Sequence, residues 1–272
     1  MSRLNKGRLQ MAASTDRGAR DGNEDDLRHG SSPAGHYAVL ADGAGGHARG
    51  EEASRIAVER IKRGLCESTS VFLPERLTQL VRLAHDDLRQ QHTGGHPQAS
   101  MHTTVVVLWV DPPARKVLWT HVGDSRLYRF RHGRAELLTL DDSVVQQMVQ
   151  AGLISAEQSR QHPQKNHLVA ALGIDGDVEP HTVPRAVHLL EGDAYLLCSD
   201  GWWDHFEPEQ MDEALALAAS PEHWLQVMRA EVLAHAQPQQ DNFSAIAVWV
   251  GNPGEMTVAR FEDTLPRGVR RR

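Results

Sequence analysis

Val39-Leu40-Ala41-Asp42-Gly43-Ala44-Gly45-Gly46-His47-Ala48-Arg49-Gly50-Glu51 is the stretch on which the fold turns. An apolar run ends in an acid, a glycine-rich turn follows, and Glu51-Glu52-Ala53-Ser54 has the character of a helix start. An Asp at the end of a buried strand lies where its carboxylate can leave the sheet edge and meet a ligand. Gly43, Gly45 and Gly46 let the backbone turn sharply and approach that ligand closely. Taken alone, the same residues also describe a plain strand-to-helix turn, and the flanking sequence has to decide between the two.

Upstream, residues 9–14 read as a short strand, 15–33 as a polar, turn-rich stretch and 36–41 as a second strand. Downstream, two helices are expected. Residues 50–66 place Ala53, Ile56, Ala57, Ile61 and Leu65 at helical spacing, and residues 74–91 do the same with Leu77, Leu80, Val81, Ala84 and Leu88. The second helix is broken at 93–97. Residues 102–110 are apolar and β-branched, as expected of a strand buried on both faces. Strands follow at 116–122, 126–131 and 136–140. Helices at 142–151 and 155–161 sit in a segment, 141–173, that leaves the main body. Strands at 178–184 and 194–198, helices at 206–219 and 221–236, and a core strand at 243–250 complete the chain. Helices arrive in pairs rather than after every strand. That order argues for antiparallel sheets covered by helix pairs and against a doubly wound parallel sheet.

Composition narrows the function classes. The chain has 272 residues, 40% of them hydrophobic, enough to bury a substantial core. A net charge of -7 argues against nucleic acid as the main partner. The basic run Pro266 to Arg272 reads as a solvated tail. Cys66 and Cys198 are too few for a disulfide scaffold and point to a reducing compartment. Residues 1–10 lack the apolar core of a signal peptide, and the longest apolar run, 105–110, is far short of a membrane span. A cytoplasmic monomer is the expectation.

Four aspartates stand at strand ends beside a small or polar residue: Asp42-Gly43, Asp124-Ser125, Asp200-Gly201 and Asp241-Asn242. Asn23-Glu24-Asp25-Asp26 adds carboxylates on an early loop. Several acids on one sheet edge repel one another and share a pocket only where cations hold them together. Oxygen donors of this kind suit magnesium or manganese. Zinc fits less well, because no histidine pair stands at i, i+4 with a Glu between, and neither cysteine has a near partner.

At this point five ordered blocks resemble a family. Arg20-Asp21-Gly22-Asn23-Glu24-Asp25, Asp42-Gly43-Ala44-Gly45-Gly46-His47, Gly123-Asp124-Ser125-Arg126-Leu127-Tyr128, Cys198-Ser199-Asp200-Gly201 and Gln240-Asp241-Asn242-Phe243-Ser244 are similar to the metal-dependent type 2C (PPM) protein serine/threonine phosphatases, in their compact bacterial branch. The resemblance covers about residues 8 to 250. It implies an α+β fold, a four-layer α-β-β-α sandwich of two antiparallel sheets flanked by helix pairs. One phosphatase domain would span 1–254, with a small helical flap at about 141–173 and a tail at 255–272. Two Mn²⁺ or Mg²⁺ ions would be bridged by Asp42 and completed by the Gly43 carbonyl, Asp200 and Asp241. Glu24 or Asp25 would contact them directly or through water, and Asp124 matches the position tied to a third, weaker ion. Arg20 matches the residue that grips the substrate phosphate; on its own it also reads as a surface partner of Asp21 or Glu24.

The resemblance further implies hydrolysis of phosphoserine and phosphothreonine by a metal-activated water, with phosphorylated proteins and a cognate Ser/Thr kinase as partners. A thiol mechanism is excluded by spacing: the arginine it needs six residues after the cysteine is replaced by Phe72 and Asp204. A silent phosphoprotein-binding module of the same fold is the alternative, and the intact Asp42, Asp200 and Asp241 count against it. A metal-dependent nuclease is disfavoured by the net charge. Two departures stand out. Ala44 occupies a position where some relatives carry a proton-donating His, and Ala170 and Ala171 lie where the flap often holds an Arg.

Overall fold

Apolar runs become strands whose two faces meet different partners. A computed structural model describes residues 9–44, 48–91 and 101–253. The expectations for Gly45, Gly46, His47, the break at 93–97 and the tail at 255–272 fall outside those residues. One sheet runs in the order β1 (Leu9–Asp16), β11 (Phe243–Val250), β10 (Ala194–Cys198), β7 (Arg126–Phe130) and β8 (Ala135–Leu137). The other runs β2 (Asp25–Ser32), β3 (Gly35–Ala44), β5 (Val105–Asp111), β6 (Lys116–Val122) and β9 (Val187–His188), with β4 (His102–Thr103) paired to the end of β3. Every pairing is antiparallel.

Side-chain alternation along the strands builds three apolar layers. Ala38, Leu40, Val106 and Leu108 of one sheet meet Leu197, Ile246 and Val248 of the other. The alternate residues Val39, Ala41, Val107 and Trp109 turn outward onto α1 (Ala48–Cys66) and α2 (Pro74–Gln91) through Ala57, Ile61, Leu77 and Leu80. On the opposite side Leu196, Cys198, Ala247 and Trp249 meet α6 (Pro208–Leu217) and α7 (Pro221–Ala234) through Met211, Trp224 and Met228. This is the four-layer α-β-β-α sandwich expected. Burying a single Leu or Ile fully contributes about 1.5–3 kcal/mol, and each layer holds many. Among the described residues no helix is long and apolar enough to cross a membrane.

Three local expectations are corrected. Residues 25–32, taken as part of a turn-rich loop, form β2. It is an edge strand with β3 as its neighbour, so polar residues on its open side cost little and erase the alternation. The strand expected at 102–110 is split at Thr104, whose N–H and hydroxyl both serve Asp42. No strand forms at 178–184. His181 and Val183 bond to His121 and Trp119 on β6, but Pro180 and Pro184 have no N–H to continue a ladder. The segment 141–173 carries α3 (Val144–Gln150) and α4 (Ala156–Arg160), each started by a serine cap, and its end returns to the core at Leu172, which is bridged to Thr103.

Candidate metal centre

The acids meet because strand register and loop staples leave them no alternative. In the β2–β3 ladder Asp25 stands directly opposite Asp42. The Asp42 N–H donates to Thr104 Oγ1 at 3.0 Å, and its carbonyl accepts from the Thr104 N–H at 2.8 Å and from Thr103 Oγ1 at 2.9 Å. Asp42 is therefore fixed at its backbone while its side chain faces the open end of the sandwich. Gly43 follows where no side chain fits: a Cβ there would lie 2.1 Å from the Gly50 carbonyl oxygen. Glu24 closes the same corner. Its carbonyl accepts from the Gly43 N–H at 3.1 Å, and a Cβ on Gly50 would lie 1.9 Å from its Oε2. The carboxylate thus sits against the first turn of α1, where a negative charge is favoured.

The other sheet contributes Asp200, opening the short helix α5 (Asp200–Trp203), and Asp241, just before β11. The Asp42 and Asp200 carboxyls are within hydrogen-bonding reach of each other. Ser199 joins the sheets: its hydroxyl donates to Asp25 Oδ2 at 2.9 Å and accepts from the Ser244 N–H at 3.0 Å. Asn242 staples the loop that carries Arg20 and Glu24. Its amide donates to the carbonyls of Arg17 (2.8 Å) and Gly22 (2.9 Å), and its oxygen accepts from the Glu24 N–H (2.7 Å). Gly18, with φ of 60°, lets this loop lie against Asp241; a Cβ there would be 2.3 Å from the Asp241 carbonyl oxygen.

A cleft of about 450 Å³ results. Arg20, Glu24, Asp42, Gly43, Asp124, Asp200 and Asp241 all line it, together with Thr104, Ala44 and, from the 141–173 segment, Asn166 and Leu168. Asp25 is not on its wall; it lies behind Asp42, buried. The partner shown for Arg20 is neither of its sequence neighbours but an acid of the other loop. Its guanidinium donates to Asp241 Oδ2 at 2.7 Å, across 221 residues of sequence. Asp124 is buried, and its carbonyl accepts from the Trp203 indole at 3.0 Å. Arg126 stacks on that indole, 3.4 Å from its centre, and forks onto Asp141. Trp202 is fully buried beneath, and Cys198 is buried with its thiol pushed far up by burial, so it is inert.

Charge crowding tests whether cations belong here. Burial, then the charges of Asp200 and Asp241, pushes Asp25 up to about 7 against hydrogen bonds from Ser244 and Ser199. Burial, then Asp241, pushes Asp200 up to about 6. Burial and the neighbouring aspartates hold Asp42 and Asp124 well above the carboxylate range. Asp25 Oδ1 is buried with no hydrogen-bond partner. Divalent cations relieve the repulsion, and the all-oxygen donor set on the wall fits hard ions. The residues fit the group.

Thr104, Ser199 and Asn242 are what the sequence reading assigned no site role. Asn242 sits beside a recognised acid, but its partners lie 218 to 225 residues away, so adjacency was the only signal.

The sequence model for protein phosphatase 2C matches residues 16–241. The chain belongs to the protein phosphatase 2C family. The serine/threonine protein phosphatase PstP of Mycobacterium tuberculosis is 34% identical over 210 residues, covering 77% of this chain and 39% of that protein. The chain thus spans about two fifths of the length of that relative. A Listeria welshimeri serine/threonine phosphatase, stp, is 31% identical over 180 residues, covering 65% of this chain and 70% of the relative. Among solved 2C structures, the catalytic domain of PstP in complex with two manganese ions superposes with a TM-score of 0.77 at 30% identity, covering 89% of this chain and 98% of that one.

Proposed function

We propose that this chain is a Mn²⁺- or Mg²⁺-dependent protein phosphatase that hydrolyses phosphoserine and phosphothreonine. One observation carries the reading: Asp42, Asp200, Asp241, Asp124 and Arg20, drawn from both sheets, converge on a single cleft rich in mutual repulsion. Asp42, the Gly43 carbonyl, Asp200 and Asp241 would hold the ions. Glu24 or Asp25 would contact them directly or through water, and Asp124 would serve a third, weaker ion. When bound, the ions supply a water acidic enough to yield hydroxide near neutral pH. Arg20, exposed at the mouth and aimed by Asp241, offers its planar fork to two phosphate oxygens. That positions phosphorus in line for displacement of the Ser or Thr oxygen and spreads the charge that develops. Ala44 has no proton to give, so the leaving oxygen takes its proton from water. The 141–173 segment acts as the flap, with Asn166 and Leu168 facing the substrate, in one domain spanning 1–254.

The partners are phosphorylated proteins and the Ser/Thr kinase that makes them. Two free cysteines support a reducing, cytoplasmic setting. A silent binding module is not favoured, because nothing in such a role calls for the full set of acids.

Phosphate release from a phosphothreonine peptide tests the reading. Wild type with Mn²⁺ releases phosphate, chelator abolishes release, and Asp241→Asn slows it strongly. Absence of metal-dependent release from wild type overturns the function, and an undiminished rate in Asp241→Asn overturns the site.

A further inference from the structure

Outside the cleft, His121, Asp142 and His181 form a cluster that the phosphatase reading does not use. One ligand atom from each lies within 4.8 Å of the other two. His121 comes from β6, Asp142 from the root of the 141–173 segment, and His181 from the irregular stretch alongside β6.

His121 is 3% exposed. Its Nε2 lies 2.8 Å from the Leu140 carbonyl, an acceptor, so Nε2 carries the hydrogen. The Leu140 N–H also approaches this nitrogen, at 3.4 Å, and is the weaker contact. Nδ1 is then a bare lone pair, buried and without a hydrogen-bond partner. Leaving such a buried acceptor unsatisfied is unfavourable. A backbone carbonyl on the far ring nitrogen is also the arrangement that fixes a metal-binding imidazole. Burial lowers the His121 pKa, which keeps the ring in its neutral, ligating form. His181 Nε2 stands 2.8 Å from Asp142 Oδ1, and the second oxygen, Oδ2, accepts from the Gly123 N–H at 2.9 Å. The two imidazole rings stack with centres 4.9 Å apart.

The plain alternative is a His–Asp surface pair beside a core histidine. It accounts for His181 and Asp142 but leaves the buried Nδ1 unexplained. We propose that His121, Asp142 and His181 bind one transition-metal ion of the zinc class, at a site separate from the carboxylate cleft. Two imidazole nitrogens and one carboxylate oxygen suit Zn²⁺ or Co²⁺, whereas Mg²⁺ favours oxygen and water. Ligands about 2.0–2.1 Å from zinc stand roughly 3.3 Å apart in a tetrahedron, so the cluster must tighten. His181 provides the movement: its side chain is 51% exposed and lies outside helix and strand. Its exposed side leaves room for water as the fourth ligand. The bound ion would brace the root of the 141–173 segment, because Asp142 N–H donates to the Gly123 carbonyl and Val169 N–H to the Asp142 carbonyl. Gly123 precedes Asp124, so this brace reaches the cleft wall.

Co²⁺ is the probe, titrated into the 272-residue chain in excess Mg²⁺. Four-coordinate Co²⁺ with nitrogen ligands absorbs intensely in the visible, and Co²⁺ among oxygens only faintly. Wild type is expected to develop the intense band, saturating at one equivalent and bleached by one equivalent of Zn²⁺. His181→Ala, a substitution at a half-exposed side chain, is expected to lose the band and to bind Zn²⁺ at least tenfold more weakly. No intense band in wild type, or an equal band in His181→Ala, overturns the proposal. Neither readout depends on phosphatase activity.

Discussion

Asp42 has both backbone groups tied to Thr104, and the two ends of the 141–173 segment are tied as well, through Asp142 to Gly123 and Leu172 to Thr103, whereas its outer part, α3 and α4, meets the rest of the molecule through exposed ion pairs. Lys165 bonds Asp204 at 2.5 Å and Arg160 pairs with Glu207, all four side chains well exposed. α3 buries Val145 alone and α4 buries nothing. At the root, Arg126 and Asp141 form one well-buried pair. The acids are over-determined by ladder, serine hydroxyl and Asn242 amide; the outer part of the segment beside them rests on ion pairs worth about 0–1 kcal/mol each. The difference teaches where adaptability lies. Charge placement tolerates little drift, while the outer part of the segment beside the cleft is held loosely enough to shift.

Breaking the rigid side should have the largest effect. Asp42→Asn removes a proposed direct ligand and is expected to lower phosphate release from a phosphothreonine peptide by more than about 100-fold, beyond the 10–100-fold typical of outer-shell changes; a smaller loss would show that Asp42 is not the bridge. Next comes the charge crowding itself. Asp25 titrates at about 7 in the folded protein against 3.8 for the free group. The folded state therefore holds a proton that the unfolded chain releases. The stability this contributes is full below about pH 4 and is lost as pH rises through 7, on the order of a few kcal/mol. Melting temperature of chelated protein should fall across that window, and Mn²⁺ at pH 7.5 should restore it; a chelated protein equally stable at both ends would contradict the repulsion.

Asn242→Ala sharpens the comparison by loosening the acids without touching a carboxylate. It leaves the Arg17 and Gly22 carbonyls and the Glu24 N–H without their partner, and about 10–100-fold weaker Mn²⁺ affinity is expected by calorimetry. Lys165→Ala should have the smallest effect. Stability should change by less than about 1 kcal/mol in chemical denaturation. KM for a peptide should move a few-fold with kcat nearly constant, and a large fall in kcat would place the segment among the rigid parts.

Much of the rigid side was legible. β10 and β11 are continuous apolar runs, α2 begins at a proline and keeps strict helical spacing, and four acids stand beside Gly, Ser or Asn. Those are local patterns, and local patterns are what a sequence displays. β2 was not legible, because an edge strand does not need an apolar side facing out. The partner of Arg20 was not either: Asp21 and Glu24 are adjacent in sequence, but Asp241 is the one the loop reaches once Gly18 and Asn242 have shaped it. The ties of the 141–173 segment were hidden for the same reason, since Lys165 and Asp204 belong to different elements.

The span from Arg20 to Asp241 also dictates when the cleft can come into being during synthesis. A ribosome that has released Asp25 and Asp42, on β2 and β3, has made the acids that one sheet carries, with no counterpart from the other. Ser199 arrives 174 residues after the Asp25 it will bond, and Asp241 later still. Every nascent chain that stops short of Asp241 lacks one of the cleft's acids and the partner of Arg20. On the proposed reading, a length series of stalled chains is expected to show metal retention switching on once β11 has emerged.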